Sequence, residues 1–106
     1  DDPLMTLKLK PRIIEAISKV YDPEIPVNIY ELGLIYDIRI NADAVVKVQM
    51  TLTAPNCPAA QILPEQVTTA VKEVTDVTDA TVEVVWEPPW DQTKMSDAAK
   101  LQLGLL

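Results

Sequence analysis

The sequence contains no histidine and only one cysteine, Cys57. Without an imidazole, the chain lacks the usual general base near pH 7 and the usual nitrogen ligand for zinc, and it excludes Ser-His and Cys-His catalytic pairs. A single thiol allows neither an intrachain disulfide nor a CxxC motif. We therefore expect a reducing compartment, the cytoplasm, and a chemistry that does not use histidine.

Other residue types are scarce as well. Phenylalanine is absent, so the core is expected to be aliphatic, and the two glycines are too few and too isolated for a phosphate-binding loop. Nine Lys and Arg against sixteen Asp and Glu give a net charge of −7. This sign disfavours nucleic acid and anionic membranes as partners. No apolar run reaches the roughly 20 residues of a membrane-spanning helix.

What is present is typical of one globular domain. The chain has 106 residues, of which 48% are hydrophobic and 24% charged, and this length suffices for one core without disulfides. We expect residues 9–106 to form that domain and residues 1–8 to be a tail or a cloning remnant.

The first half of the domain shows one helical and two strand-like patterns. Apolar residues recur at helical spacing over 11–21, and Pro11 suits the first helical position. After Gly33, residues 34–40 alternate between apolar and polar, with Tyr36 on the apolar side, and residues 45–53 alternate again. The short polar break between these segments predicts an antiparallel hairpin.

The second half continues with a helix, a strand and a helix. The spacing predicts a helix over 58–74, with a kink or a restart near its interior Pro64. Alternation over 81–87 predicts a third strand whose inward residues include Trp86. Ser96 is a plausible N-cap for a last helix over 97–103, and Gly104 is its stop signal.

The resulting order, α-β-β-α-β-α, predicts an α+β fold. We expect a two-layer α/β sandwich, with the helices on one face of a three-stranded mixed sheet. The second and third strands would be parallel, because a helical crossover joins them.

Cys57 is the only strong soft ligand or nucleophile in the chain. Pro58 places it at the predicted start of the second helix, where unpaired N–H groups and the helix dipole stabilise a thiolate and lower the pKa of the thiol. The alternative is that Cys57 is a small buried hydrophobic residue, which is the commoner fate of a free cysteine. These two interpretations stay open on the sequence.

Four further residues are candidates for the same site. Asp22 and Glu24 are carboxylates in a proline-stiffened loop and offer oxygen ligands or a base, although an Asp before Pro commonly caps its own turn. Thr51 and Thr53 precede the Cys57 loop and offer hydroxyls, although threonine is also simply common in strands. The segment 86–90, rich in Trp and Pro, is expected to be a lid over the core or a docking surface for a partner.

Three segments together resemble a known family. They are DPEIPVNIYELGLIY at 22–36, TLTAPNCPAAQIL at 51–63 and WEPPWDQTKMSDAAKLQLGL at 86–105, and they are similar in order and spacing to the metal-sulfur cluster biosynthetic domain. That family includes SufT-type assembly proteins and the PaaD-type protein of phenylacetate degradation. The resemblance implies an iron–sulfur assembly fold and a role in maturing iron–sulfur proteins. It also implies a site formed by Asp22, Glu24, Thr51, Thr53 and Cys57.

The resemblance raises a problem of ligand number. An iron–sulfur cluster is typically held by about four thiolates, and this chain supplies one. Either two chains share a cluster in a homodimer with added ligands, or Cys57 binds iron, sulfur or a cluster transiently and passes it on. We favour transfer, because an under-coordinated site releases its cargo readily.

The hypothesis is therefore an accessory factor, not a turnover enzyme, whose partners are client iron–sulfur apoproteins and other assembly proteins. One alternative is a cysteine-dependent enzyme acting on a thioester or peroxide, with Asp22 or Glu24 as base. Another is a docking module with a buried Cys57. A PaaD-like factor that matures a phenylacetate-degradation oxygenase is a further version of the first hypothesis.

Overall fold

The computed structural model describes residues 2–22, 25–53 and 59–105, without the side chains of residues 59–61. Three helices and three strands follow one another in the order α-β-β-α-β-α, which confirms the predicted order. They are α1 (Pro3–Ile17), β1 (Ile35–Ile40), β2 (Val45–Met50), α2 (Ala59–Lys72), β3 (Asp79–Val84) and α3 (Asp97–Gln102), with a 3-10 turn at Gln92–Lys94 before α3.

The three strands form one mixed sheet in the order β1-β2-β3. β1 and β2 are antiparallel, as expected for a hairpin, and β2 and β3 are parallel, as expected for a helical crossover. α1 packs against β1, α2 packs against β3, and the two helices contact each other. The predicted two-layer α+β sandwich is confirmed.

The core between these layers is aliphatic, apart from methionine, as the absence of phenylalanine requires. α1 contributes one buried stripe at a spacing of four residues, α2 contributes another, and the inward side chains of the sheet lie between them. The buried residues from these elements include Leu9, Ile13, Ile17, Leu63, Val67, Val71, Ile38, Ile40, Val46, Val48 and Met50.

α1 begins eight residues before the predicted start at Pro11. The side chain of Asp2 accepts hydrogen bonds of 3.0 Å from the N–H groups of Leu4 and Met5, and Pro3 occupies the first turn. This pair is a complete N-terminal cap, so Pro11 lies inside the helix instead of opening it. Residues 3–8, expected in the tail, form the first turns of α1. The helix also ends at Ile17, four residues before the predicted end.

α2 runs through Pro64 as one helix, so the predicted restart does not occur. The Thr68 hydroxyl donates a hydrogen bond of 2.8 Å to the carbonyl oxygen of Pro64 one turn earlier. β3 ends at Val84, three residues before the predicted end. For this reason Trp86, expected to point inward, lies beyond the strand with 45% of its surface exposed.

The chain after β3 folds back over the loop that precedes β1. Ser96 caps α3 as predicted, since its hydroxyl accepts a hydrogen bond from the N–H of Ala99 at 3.1 Å. The Ser96 N–H donates to the carbonyl oxygen of Glu31 at 2.9 Å, and the Gln102 side chain donates to that of Pro26 at 2.9 Å. These bonds fix the C-terminal segment against residues 26–31. None of the described helices is both long and apolar enough to span a membrane.

Candidate functional site

Two of the five predicted site residues, Glu24 and Cys57, lie outside the described residues. The other three, Asp22, Thr51 and Thr53, are described and flank them in the sequence. The assignment of all five to one site stays a prediction. The structure describes the residues on either side of the segments that contain Glu24 and Cys57.

Asp22 and Thr51 share an unusual property. Of the polar and charged side chains in the described part of the chain, these two alone are buried, with relative exposures of 5% and 1%. Asp22 lies two residues before Glu24, and Thr51 lies six residues before Cys57. Burial of polar groups is costly unless they are hydrogen-bonded or have a functional role. The two buried polar side chains therefore lie shortly before Glu24 and Cys57 in the sequence, in or next to the two loops predicted to form the site.

Asp22 has a local backbone contact. Its Oδ1 atom accepts a hydrogen bond of 3.2 Å from the N–H of Ile25. This is the turn-capping contact typical of an Asp that precedes Pro. The contact fixes the orientation of the carboxylate relative to the loop that contains Glu24.

Thr51 directly follows β2 and is anchored through its backbone. Its N–H donates a hydrogen bond of 2.8 Å to the carbonyl oxygen of Leu34. Its Oγ1 atom, in contrast, is buried and has no hydrogen-bond partner among the described residues. A buried hydroxyl without a partner costs about 1–3 kcal/mol. The hydroxyl of Thr51 is therefore poised to donate to, or accept from, a group not represented in the described contacts.

Tyr36 is a neighbour of Thr51 that the sequence analysis did not assign to the site. A bulge between Ile35 and Asp37 interrupts the pairing of β1 with β2 at this residue. The bulge turns Tyr36 away from the core position predicted for it, and its hydroxyl donates a hydrogen bond of 2.7 Å to the carbonyl oxygen of Pro88. Alternation in the sequence gives no signal for a bulge, which explains the wrong prediction.

The surroundings of Tyr36 shift the pKa of its phenol upward. Burial raises the pKa of this phenol, the nearby Thr51 hydroxyl opposes the rise, and the carboxylates of Asp91 and Glu87 add to it. The Thr51 hydroxyl therefore lies near the phenol, and it forms no hydrogen bond with any described residue.

The segment after β3 covers this end of the sheet. The Trp90 indole Nε1 donates a hydrogen bond of 2.7 Å to the carbonyl oxygen of Leu32, and its ring is half-buried against the core. The Lys94 ammonium lies 5.6 Å from the centroid of the Tyr36 ring, within the range of a cation–π contact. Trp90 therefore acts as the lid proposed from the sequence, whereas Trp86 remains exposed.

The described contacts place Thr51, Tyr36 and Pro88 together, while Asp22 is held through its own loop. Thr53 is half-buried two residues after Thr51. Within residues 2–22, 25–53 and 59–105, no three acidic or cysteine side chains come close enough to hold a metal ion. The described part of the chain does not by itself form a closed metal site.

Comparison with known proteins assigns the fold to a family. The family model described as iron-sulfur cluster assembly protein matches residues 10–84. The chain belongs to the iron–sulfur cluster assembly protein family. This confirms the resemblance drawn from the three sequence segments.

Relatives of the chain within and around this family carry related names. The Fe-S protein maturation auxiliary factor of Porphyromonas gingivalis is 47% identical over 94% of this chain and 95% of its own length. The Fe-S protein maturation auxiliary factor SufT of Staphylococcus aureus is 40% identical over 81% of this chain and 98% of its own length. An iron-sulfur cluster carrier protein of Mycobacterium leprae is 33% identical over 89% of this chain, which corresponds to 24% of that protein.

Solved structures support the same architecture. A domain of unknown function from Bacillus anthracis superposes with a TM-score of 0.88 at 33% identity, covering 99% of this chain and 100% of that one. A conserved hypothetical protein from Thermotoga maritima superposes with a TM-score of 0.77 at 35% identity, covering 90% and 93%. The α+β sandwich is therefore shared over essentially the whole chain.

Proposed function

We propose that this protein is an accessory factor in the maturation of iron–sulfur proteins, and that it holds iron, sulfur or a cluster transiently through Cys57. Asp22, Glu24, Thr51 and Thr53 would surround the thiolate and its cargo. The observation that carries the proposal is the pair of buried polar side chains, Asp22 and Thr51, that lead into the segments containing Glu24 and Cys57.

The relatives support an accessory role. This chain matches 95% and 98% of the lengths of two maturation auxiliary factors, and 24% of the length of a cluster carrier. Both names describe handling of clusters for other proteins, which favours an assembly factor over a turnover enzyme.

The donor set favours transient binding. Cys57 is the one thiol of the chain, no histidine can replace the missing thiolates, and a cluster needs about four ligands. The remaining ligands must come from the client, from a second copy of the chain or from a free thiol. We favour the client, because a cargo held by a single thiolate is transferred readily to a protein that offers a complete ligand set. A homodimer that shares the cargo is the alternative.

The neighbouring polar groups have defined roles in this proposal. The unpaired hydroxyl of Thr51 is a donor to the thiolate or to a sulfide of the cargo, and the buried carboxylate of Asp22 is a hard ligand or a proton acceptor. The start of α2 at Ala59, two residues after Cys57, supplies N–H groups that favour an anion. The net charge of −7 favours clients and assembly proteins with basic surfaces, in the cytoplasm.

The experiment is complementation of cells that lack the protein, with the activity of client iron–sulfur enzymes as the readout. We expect Cys57→Ser to abolish client activity while circular dichroism shows an intact fold. The matched control is the double variant Cys57→Ser and Thr75→Cys, which restores one thiol on an exposed surface and should not restore activity. Full client activity with Cys57→Ser would rule out the proposal.

A second measurement identifies the cargo. The protein is reconstituted anaerobically with ferrous iron and sulfide and examined by absorption and Mössbauer spectroscopy. We expect iron or cluster signals in the wild type and their loss in Cys57→Ser. Equal signals in both proteins would show that Cys57 is not the ligand.

A further inference from the structure

β3 is an edge strand with one unused side. Within the described part of the chain it pairs only with β2, and the N–H of Val85 donates a hydrogen bond of 2.8 Å to the carbonyl oxygen of Met50. Backbone groups of successive residues in a strand face opposite edges, so the register directs Thr81 and Glu83 towards β2 and Val82 and Val84 away from it. No described residue bonds to the outward N–H groups of Val82 and Val84.

At the opposite edge of the sheet, outward backbone groups are hydrogen-bonded. On β1, the N–H of Ile38 is bonded by the Asp37 carboxylate at 2.9 Å, and the carbonyl oxygen of Ile40 accepts from the N–H of Asp2 at 2.8 Å. On β3, the contacts among residues 2–22, 25–53 and 59–105 include a comparable one only at the start, where Asp79 Oδ1 accepts from the N–H of Ala80 at 2.9 Å. Residues 82–84 therefore present an open template for another strand.

The acidic residues around this edge favour one kind of partner strand. Residues 73–93 contain six acidic residues and no Lys or Arg. Of these, Asp79 and Glu83 are exposed on β3 itself. Asp79 lies 3.5 Å from the Lys72 ammonium, whereas Glu83 has no cationic partner among the described residues and accepts a hydrogen bond of 3.0 Å from the Gln49 side chain. A second copy of the chain pairing here would bring this acidic segment against itself, which is unfavourable. A strand with Lys or Arg would be attracted instead.

We propose that the free edge of β3 at residues 82–84 binds an extended segment of a partner protein in which basic and aliphatic residues alternate. The segment adds a fourth strand to the sheet and pairs with the outward backbone groups of Val82 and Val84. Its basic side chains lie on the face that carries Glu83, and its aliphatic side chains extend the face that carries Val82 and Val84, both half-buried. This binding does not involve Cys57 and stands independently of the proposed cargo.

Amide hydrogen exchange on the whole protein tests the pairing. The probe is a synthetic ten-residue peptide of alternating Lys and Val. We expect the amides of Val82 and Val84 to exchange rapidly in the free protein and at least tenfold more slowly with the peptide bound. The amides of Thr81 and Glu83, already bonded to β2, serve as internal controls and should not change. Unchanged exchange at Val82 and Val84 at saturating peptide would overturn the proposal.

Two changes separate strand pairing from simple charge attraction. The same peptide with all its amides N-methylated keeps its charge but cannot donate hydrogen bonds, and it should bind at least tenfold more weakly. Glu83→Lys should also weaken binding of the unmodified peptide at least tenfold, whereas Glu15→Lys on α1 should not. Equal affinity of the methylated peptide, or a concentration-dependent protection of Val82 by a second copy without peptide, would contradict the proposal.

Discussion

The backbone of Lys94 passes directly against Gly33. A Cβ atom at Gly33 would lie 2.1 Å from the carbonyl oxygen of Lys94, and Gly33 has a φ of +80°. Both the close approach and the left-handed conformation require glycine at this position. Gly33 is therefore one of the points at which the C-terminal segment docks onto the loop before β1.

Replacement of Gly33 by alanine should destabilise the protein strongly. The left-handed conformation costs about 1–2 kcal/mol for a residue with a Cβ, and the overlap with Lys94 adds a similar amount. Gly104 offers a matched control, because its φ is +75° but nothing lies within 4 Å of the Cβ position. We expect urea unfolding to show a loss of about 3 kcal/mol for Gly33→Ala and about 1 kcal/mol for Gly104→Ala. Equal losses would show that the Lys94 backbone moves aside freely.

The contrast between Gly33 and Gly104 shows which features can be predicted from the sequence. Gly104 was predicted as a stop signal for the last helix from local pattern alone, and α3 ends two residues before it. The contact of Gly33 with Lys94 joins residues 61 positions apart and leaves no local signal. Helices, strands and their order follow from local periodicity, whereas the path of the C-terminal segment depends on tertiary contacts.

Stability at alkaline pH should depend on Tyr36. Burial raises the pKa of its phenol above the ordinary value of 10.0, so the folded state keeps the proton that the unfolded state releases. Stability is therefore fully present below about pH 10 and falls as the pH rises through the folded-state pKa. We expect Tyr36→Phe to reduce this alkaline loss, measured by urea unfolding at about pH 8 and about pH 10.5. It should also lower stability at neutral pH by about 1 kcal/mol, because the bond to Pro88 is lost.

Tyr21 provides the comparison, since 57% of its surface is exposed. The variant Tyr21→Phe keeps the bond between Tyr36 and Pro88, so its free energy of unfolding at about pH 8 should stay within about 0.5 kcal/mol of the wild-type value. If Tyr36→Phe shows the same alkaline loss as the wild type, the phenol of Tyr36 does not contribute to the pH dependence.

Thr51→Val should separate stability from function. Valine has nearly the shape of threonine but lacks the buried hydroxyl that has no partner among the described residues. Because an unpaired buried hydroxyl is costly, we expect Thr51→Val to raise the free energy of unfolding by about 1 kcal/mol. At the same time, complementation of client enzyme activity should fall if the hydroxyl acts on the cargo.

The control for Thr51→Val is Thr53→Val, in which the replaced side chain is half-buried. We expect a change in the free energy of unfolding within about 0.5 kcal/mol for this variant. A clear destabilisation by Thr51→Val would show instead that the hydroxyl is hydrogen-bonded in the folded protein. It would also remove the structural support that Thr51 gives to the site.

The candidate site could be predicted from the sequence only in part. Residue type and loop position made Asp22, Thr51 and Cys57 candidates, and the family resemblance placed them in one site, which stays a prediction. Burial singles out Asp22 and Thr51. Tyr36 and Pro88 could not be predicted, because a bulge and a contact across 52 residues bring them together. A bulge changes the face on which a residue lies without changing the apolar pattern around it.

The position of Pro11 inside α1 allows a test of where this helix begins. Proline in a helix interior lacks the N–H that would bond to the carbonyl of Leu7, and it costs about 3 kcal/mol relative to alanine. Proline also restricts the unfolded chain, which offsets about 1 kcal/mol of that cost. We therefore expect Pro11→Ala to raise the free energy of unfolding by about 2 kcal/mol. Pro3→Ala is the matched control, because Pro3 lies in the first turn, where no N–H is required, and it should change stability little. If both variants behave alike in urea unfolding, α1 does not extend through Pro11 in solution, and the helix begins where the sequence pattern placed it.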